Sequence, residues 1–175
     1  QEGAMQFKIG HEVMQARHGS GQIVAIEEKR LSGREPRLFY TVSINKSTVW
    51  VPADSNNASS LRLLVSNSDL THCRMLLKGR PAQLNADRQQ RGRDRMNSLQ
   101  TGSFEKRCEV VRDLTAHGWL KPLGEADAAA LRKIQEAVCQ EWATAQGVPP
   151  SEASREITAL LQEGYRTYKP DNNLL

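Results

Sequence analysis

From residue 7 to about residue 52 the chain consists of short β-branched runs separated by turn chemistry, a pattern that predicts strands rather than helices. The runs place strands over 12–16, 22–29, 38–44 and 48–51. His18-Gly19-Ser20-Gly21, Ser32-Gly33 and Asn45-Lys46 serve as the intervening turns. In Gln22-Ile23-Val24-Ala25-Ile26 apolar positions outnumber strict alternation, which predicts a central and mostly buried strand. Thr48-Val49-Trp50-Val51 alternates better, so Val49 and Val51 are expected to face a core and Trp50 to face outward. Strands this short and closely spaced suit a small, strongly bent sheet or barrel.

The β signals fade after Pro52 through a polar loop at 54–60, and a helical period takes over. Ser68 or Asp69 is the expected N-cap of a first helix carrying Leu70, Cys73 and Leu77, broken by Lys78-Gly79-Arg80-Pro81. A second helix is predicted over about 82–99. A third carries Phe104, Cys108, Val111 and Leu114 on one stripe, with His117-Gly118-Trp119-Leu120 as the turn after it. A fourth carries Leu131, Ile134, Val138 and Trp142 and closes at Gly147 with Pro149-Pro150. Ser151 caps a fifth with Ile157, Leu160 and Leu161 on its apolar side, and the tail beyond Gly164 is expected to be loose. The fold class is therefore α+β: a small β module followed by an all-α bundle.

Composition narrows the class further. With 175 residues, 38% hydrophobic and 25% charged, the chain suits one compact domain or two small ones. Cys73, Cys108 and Cys139 are odd in number and widely spaced, against a disulfide framework or a cysteine zinc site, and a reducing compartment fits them. No run approaches the roughly 18 apolar residues of a membrane span, and no signal-peptide pattern is present, so a soluble, cytoplasmic protein is expected. Residues 1–4, QEGA, are read as an added scar ahead of a native start at Met5.

Charge is uneven along the chain. Residues 1–70 carry eight Lys/Arg against seven Asp/Glu, residues 71–112 ten against four, and residues 113–175 six against nine. A basic middle between a neutral front and an acidic end points to one surface that faces a polyanion. The constellation that stands out within it is Arg74, Lys78, Arg80, Arg88, Arg91, Arg93 and Arg95, opposed between them by Asp87 and Asp94 alone. On a helix Arg88, Arg91 and Arg95 stack along one face, and like charges at i, i+4 repel, a cost accepted here without acidic partners. The bland alternative is a solvated helix face. A phosphate-tracking stripe would bind with strong salt dependence and weak sequence selectivity, and without interleaved aromatics its target is duplex backbone rather than single strands.

Catalytic chemistry is weakly represented. His11, His18, His72 and His117 are scattered, and none shows the i, i+4 spacing of a helical metal site. His72 reads as a surface histidine beside a small buried cysteine. The His18-Gly19-Ser20-Gly21 turn lacks the Lys-Ser/Thr of a phosphate-binding loop and leads into a strand, so its glycines are expected to serve positive φ. Glu27 and Glu28 point to opposite faces of a strand and cannot share a site. No enzyme, metal site, cofactor or small-molecule ligand is expected. Trp142 reads as core, and Trp119 as packing between helices. Trp50 reads as an exposed interface anchor or as a residue packed on the helical part.

The residues Phe7-Lys8-Ile9-Gly10, His18-Gly19-Ser20-Gly21, Ala25-Ile26-Glu27-Glu28-Lys29, Gly33 and Val49-Trp50-Val51-Pro52-Ala53 resemble the N-terminal module of the CarD/CdnL family of bacterial transcription regulators. Leu99-Gln100-Thr101-Gly102, then Glu109-Val110-Val111-Arg112-Asp113-Leu114 and Leu131-Arg132-Lys133, resemble that family's C-terminal domain. The resemblance covers nearly all of residues 5–165. It implies a Tudor/SH3-like small β-barrel over 5–66, shared with transcription-repair coupling factor, and a helical DNA-contacting domain over 67–168. It further implies a non-enzymatic regulator that docks on the N-terminal lobe of the RNA polymerase β subunit, contacts promoter duplex DNA at the upstream edge of the bubble and associates with the nucleoid. By position, polymerase contact falls on Lys29 and Trp50, and DNA contact on Arg88, Arg91 and Arg93, with Arg95 added by the charge stripe. The chain departs from the family pattern in three places. Lys29 and Trp50 stand where the family often has Arg, Arg88 stands at the family's DNA-wedging tryptophan, and Gln15-Ala16 replaces a Tyr-Pro.

Overall fold

In a computed structural model the chain divides into two compact units between Leu64 and Val65. The structure describes residues 7–15, 17–53, 61–84, 86–100 and 103–168. The expectations for Met5, Ala16, the polar loop at 54–60, Thr101-Gly102 and the last residues of the tail lie outside them.

The first unit is an antiparallel sheet of five strands: β1 (Glu12–Gln15), β2 (Gly19–Lys29), β3 (Arg37–Ile44), β4 (Ser47–Pro52) and β5 (Leu61–Leu63). Their order in the sheet is β4-β3-β2-β1-β5. Strand β5, three residues that pair with β1, carries too short a period to be read from sequence. One face holds a core of Phe7, Val13, Ile23, Tyr40, Val42, Ile44, Val51 and Leu61. The Phe7 ring meets Tyr40 edge-on at 5.6 Å, and the Phe7 amide donates to the Tyr40 hydroxyl.

Strand β2 is central, as its apolar run predicts, but it is not mostly buried. Ile23 is fully buried, whereas Val24 is 47% exposed. A β-bulge is the reason: Ile23 pairs with Val42 and Ala25 with Thr41, leaving Val24 as the extra residue. The run Ile23-Val24-Ala25-Ile26 thus supplies the core from positions 23 and 26, on either side of the bulge.

The two glycines expected in a turn instead open β2, which starts at Gly19, and they act differently. Gly19 has φ of +92°, the left-handed region expected of it. Gly21 sits where a Cβ would lie 2.5 Å from the Ser43 carbonyl oxygen and 2.5 Å from Ile44 Cγ1, so it is needed for close approach of β2 to β3.

The second unit contains α1 (Asn67–Leu77), α2 (Arg88–Gln100), α3 (Phe104–Leu120), α4 (Glu125–Gln146) and α5 (Pro150–Thr167). The predicted stripes Leu70/Cys73/Leu77, Phe104/Cys108/Val111, Ile134/Val138/Trp142 and Ile157/Leu161 converge on one core, with Leu131 and Leu160 partly buried against it, while Leu114 is buried outside that cluster. The cysteines are buried free thiols inside it.

Helix boundaries differ from expectation where side chains cap the backbone. The N-cap of α1 is Ser66, whose hydroxyl accepts from the Asp69 amide while the Asp69 carboxylate accepts from the Ser66 amide. The Ser66 hydroxyl also donates to the Asp69 carboxylate at 2.7 Å, and this bond, then the one from the Ser66 amide, holds the Asp69 carboxyl below its usual pKa. Helix α2 starts at Arg88 rather than near 82, because the Asp87 carboxylate accepts from the Gln89 and Gln90 amides, while Ala82 donates instead to Asp113. Helix α3 runs through Trp119 to Leu120, where a turn was expected, and α5 continues past Gly164 to Thr167. Helix α4 ends as predicted at Gly147, with φ of +67°.

Glu141, 1% exposed, accepts from the Val65 amide at 3.1 Å and ties the start of the helical unit to α4. Among the described residues no helix is long and apolar enough to cross a membrane.

Gly21→Ala should destabilise the β unit by about 2–3 kcal/mol, because the clash involves backbone and a core side chain and cannot be relieved by rotation. Urea denaturation followed by Trp50 fluorescence checks this, and wild-type stability would remove the close-approach role.

Candidate functional site

The bulge in β2 has a direct effect on side-chain direction. Thr41 pairs with Trp50 on β4 and, because Val24 is skipped, with Ala25 on β2. Ala25, Glu27 and Lys29 therefore share the face of Trp50. Without the extra residue the pairing would slip by one, and Lys29 would project from the opposite face.

The two sequence-predicted residues of this unit are thus brought together. Lys29 Nζ lies 4.3 Å from the centroid of the Trp50 ring and 3.1 Å from Glu27 Oε2. Thr41 Oγ1 donates to the same Glu27 oxygen at 3.2 Å. The hydrogen bond from Lys29, then that from Thr41, then the Lys29 charge hold the Glu27 carboxyl below its usual pKa. Trp50 is 53% exposed and projects outward as its alternation predicts, with Lys29 laid over its ring. Trp50 also sits on β4, which among the described strands pairs with β3 alone and forms an edge of the sheet.

The basic stripe of α2 divides in two. Arg88 and Arg93 are exposed, and no carboxylate among the described residues pairs with either. Arg91 and Arg95 turn inward onto Asp127 in the first turn of α4. Arg95 Nη1 is in direct contact with Asp127 Oδ1, and Arg91 Nη2 lies 3.9 Å from Oδ2. Their side chains keep 20% and 17% of their exposure, and Asp127 keeps 12%. Sequence reading gave these arginines no acidic partner because Asp127 lies more than thirty residues downstream.

The same holds for two more basic residues of the middle segment. Arg74 pairs with Glu156, which also accepts from the Trp142 indole at 3.2 Å, and Lys78 lies 4.0 Å from Glu163. Arg74, Lys78, Arg91 and Arg95 are thus neutralised by carboxylates of the acidic third of the chain. Arg80 lies over the ring of Tyr168, a contact with no local sequence signal.

Other candidates resolve simply. His72 is exposed and pairs with Glu105 at 2.9 Å, while its neighbour Cys73 is buried. Trp142 is core, and Trp119, in the last turn of α3, packs edge-on against Tyr165 of α5 as expected while staying 41% exposed. Among the described residues no three His, Cys, Asp or Glu side chains gather as metal ligands.

Helix α2 has almost no apolar face, and Ser98 is its buried residue among those whose side chains are described. Its attachment relies on Asp127 and on Arg107, whose Nε donates to the Ser98 carbonyl at 3.2 Å. Asp127→Asn should cost about 1–2 kcal/mol, the range for a partly buried ion pair, and raise hydrogen exchange in α2 well above that in α3. Equal protection of α2 in both proteins would show that the pair does not hold the helix.

The chain is similar in sequence to known proteins. Residues 73–158 match the family described as "CarD, C-terminal domain". A protein of Bacillus subtilis (strain 168) named "Putative transcription factor YdeB" is 27% identical over 144 residues, spanning 81% of this chain and 94% of its own. The match to that domain lies within the helical unit, and together with the similarity to the Bacillus protein it makes the chain a member of the CarD family.

Proposed function

We propose that this protein is a transcription regulator that binds the RNA polymerase β subunit through its β unit and upstream promoter duplex through α2. The observation that carries the proposal is the meeting of Lys29 and Trp50, twenty-one positions apart in sequence, on one exposed face at an edge of the sheet. A cation laid on a large ring is a preorganised anchor. It presents apolar area and charge together at little cost in side-chain entropy, the character of an interface hot spot. The backbone of β4 offers the hydrogen bonds of strand addition, with Trp50 as the side chain that fixes register.

On α2 the proposed DNA contacts are Arg88 and Arg93, which face solvent. Arg91 and Arg95 take part by holding the helix in place from beneath. Two exposed arginines make a weak duplex contact, and attachment to polymerase makes it sufficient by raising the local concentration of α2 at the promoter. The family membership and the name of the Bacillus relative support the regulatory role. The activity proposed is an altered formation or stability of the open complex, with no bond made or broken by this chain.

Titration against bacterial RNA polymerase, and separately against the isolated N-terminal lobe of its β subunit, should give saturable binding to both. Trp50→Ala should weaken it about 10- to 30-fold with the fold intact, and Lys29→Glu should act in the same direction. Parent affinity in both variants would remove this interface. Binding to DNA of equal strength with and without polymerase would instead mark a stand-alone duplex binder.

Arg88→Ala combined with Arg93→Ala should reduce the slope of log affinity against log salt by about 2 in promoter-duplex titrations, in proportion to the phosphates no longer neutralised. An unchanged slope would make the exposed arginines a solvated face only.

A further inference from the structure

The ends of α1, α3 and α5 meet at one end of the helical unit. Gly164 of α5 lies against the Lys78 backbone after α1, where a Cβ would be 3.1 Å from the Lys78 carbonyl oxygen. Trp119, in the last turn of α3, meets Tyr165 of α5 with ring centroids 4.6 Å apart and planes inclined at 62°. These rings, 41% and 38% exposed, line with Gln162 and Arg166 a cleft of about 350 Å³. Immediately beyond, the Arg80 guanidinium lies 5.1 Å over the ring of Tyr168.

Arg166 puts a cation in the lining of this cleft, Lys121 follows Trp119 by two residues, and Arg80 lies over Tyr168, three residues after Tyr165. Arg80, Arg166 and Lys121, the residue that ends α3, are all exposed. The nearest carboxylate on α5, Glu163, faces Lys78. The next, Glu156, is nine residues back, about 13 Å along the helix, and is engaged by Arg74.

Exposed aromatic rings, a side-chain amide and neighbouring cations are the components that hold an unstacked base and its flanking phosphates. A protein partner fits less well. Among the described residues the apolar lining amounts to the two rings, far below the roughly 800 Å² per partner of a stable interface, and lysine and unpaired charge are depleted from interface cores. An intact duplex fits less well too, since its base faces are covered. We propose that this cleft binds an unpaired base of single-stranded DNA. The base stacks on the Trp119/Tyr165 pair, the Gln162 amide reaches its edge, and Arg166, Arg80 and Lys121 take the adjoining phosphates. This surface is separate from the α2 duplex contact and stands whether or not that contact holds.

The test is fluorescence anisotropy of a labelled twelve-residue oligothymidylate titrated with the full chain, beside a twelve-base-pair duplex. The chain should bind the single strand. Trp119→Leu with Tyr165→Leu should weaken that binding about tenfold or more, Trp119→Phe should retain most of it, and Arg166→Glu should weaken it with both rings present. Arg88→Ala with Arg93→Ala should leave single-strand affinity within about twofold while lowering duplex affinity. Absence of oligothymidylate binding, or parent affinity in the folded double-leucine variant, overturns the proposal. So does loss of single-strand binding in the α2 variant instead. Weaker polymerase binding by Trp119→Leu without any single-strand binding would also overturn it and mark a protein contact. Failure of the duplex reading shows separately, as a duplex titration indifferent to the α2 variant.

Discussion

The helical unit depends on carboxylates of the acidic third of the chain closing on guanidinium and ammonium groups of the basic middle. Asp127 receives Arg91 and Arg95, Glu156 receives Arg74, and Glu163 faces Lys78. Four of the seven basic residues that stand out in the middle segment are thereby neutralised inside the fold. For α1 and α5 such pairs supplement an apolar core. For α2 they take a larger share, because nearly all of its residues are polar and, among those whose side chains are described, no apolar one is buried. The most basic element is therefore held by polar contacts from other helices, Asp127 of α4 under Arg91 and Arg95 and Arg107 of α3 at the Ser98 carbonyl.

In the β unit the corresponding constraint is the single extra residue in β2. A strand reads its two faces by parity, and the bulge at Val24 resets that parity halfway along. The N-terminal half of β2 contributes Ile23 to the core, and the C-terminal half contributes Ile26 to the same core while directing Glu27 and Lys29 to the face of Trp50. Gly21 permits the close approach that precedes the bulge. Packing and the candidate contact face are thus fixed by one local irregularity.

What the sequence made legible was of short range. Turns announced by Gly19 and Asn45, the closure of α4 at Gly147, and stripes such as Phe104/Cys108/Val111/Leu114 are written within a few residues of each other. The outward direction of Trp50 followed from alternation across four positions. The capping box Ser66/Asp69 was equally local but lies one turn before the apolar period begins, so the helix was started late. The continuous apolar run at 23–26 concealed the bulge, since a buried strand and a bulged one have the same composition. The ion pairs to Asp127 and Glu156 and the meeting of Trp119 with Tyr165 join residues tens of positions apart, and no local pattern encodes them.

The split of the α2 stripe also separates two electrostatic regimes within one helix. Exposed charges are screened over about 8–10 Å at physiological ionic strength, whereas partly buried pairs are screened much less. Arg88 and Arg93 lie in the first regime, Arg91 and Arg95 in the second. Rising salt therefore weakens what the outer arginines can do to a phosphate before it loosens the pair that positions them. An anchor of exposed pairs would fail together with the contact it supports. An anchor of apolar side chains would need positions that α2 gives instead to arginine, glutamine and asparagine. A partly buried carboxylate under the helix lets one short, polar element present cations outward while remaining fixed, and this makes its docking independent of the ions that compete for its ligand.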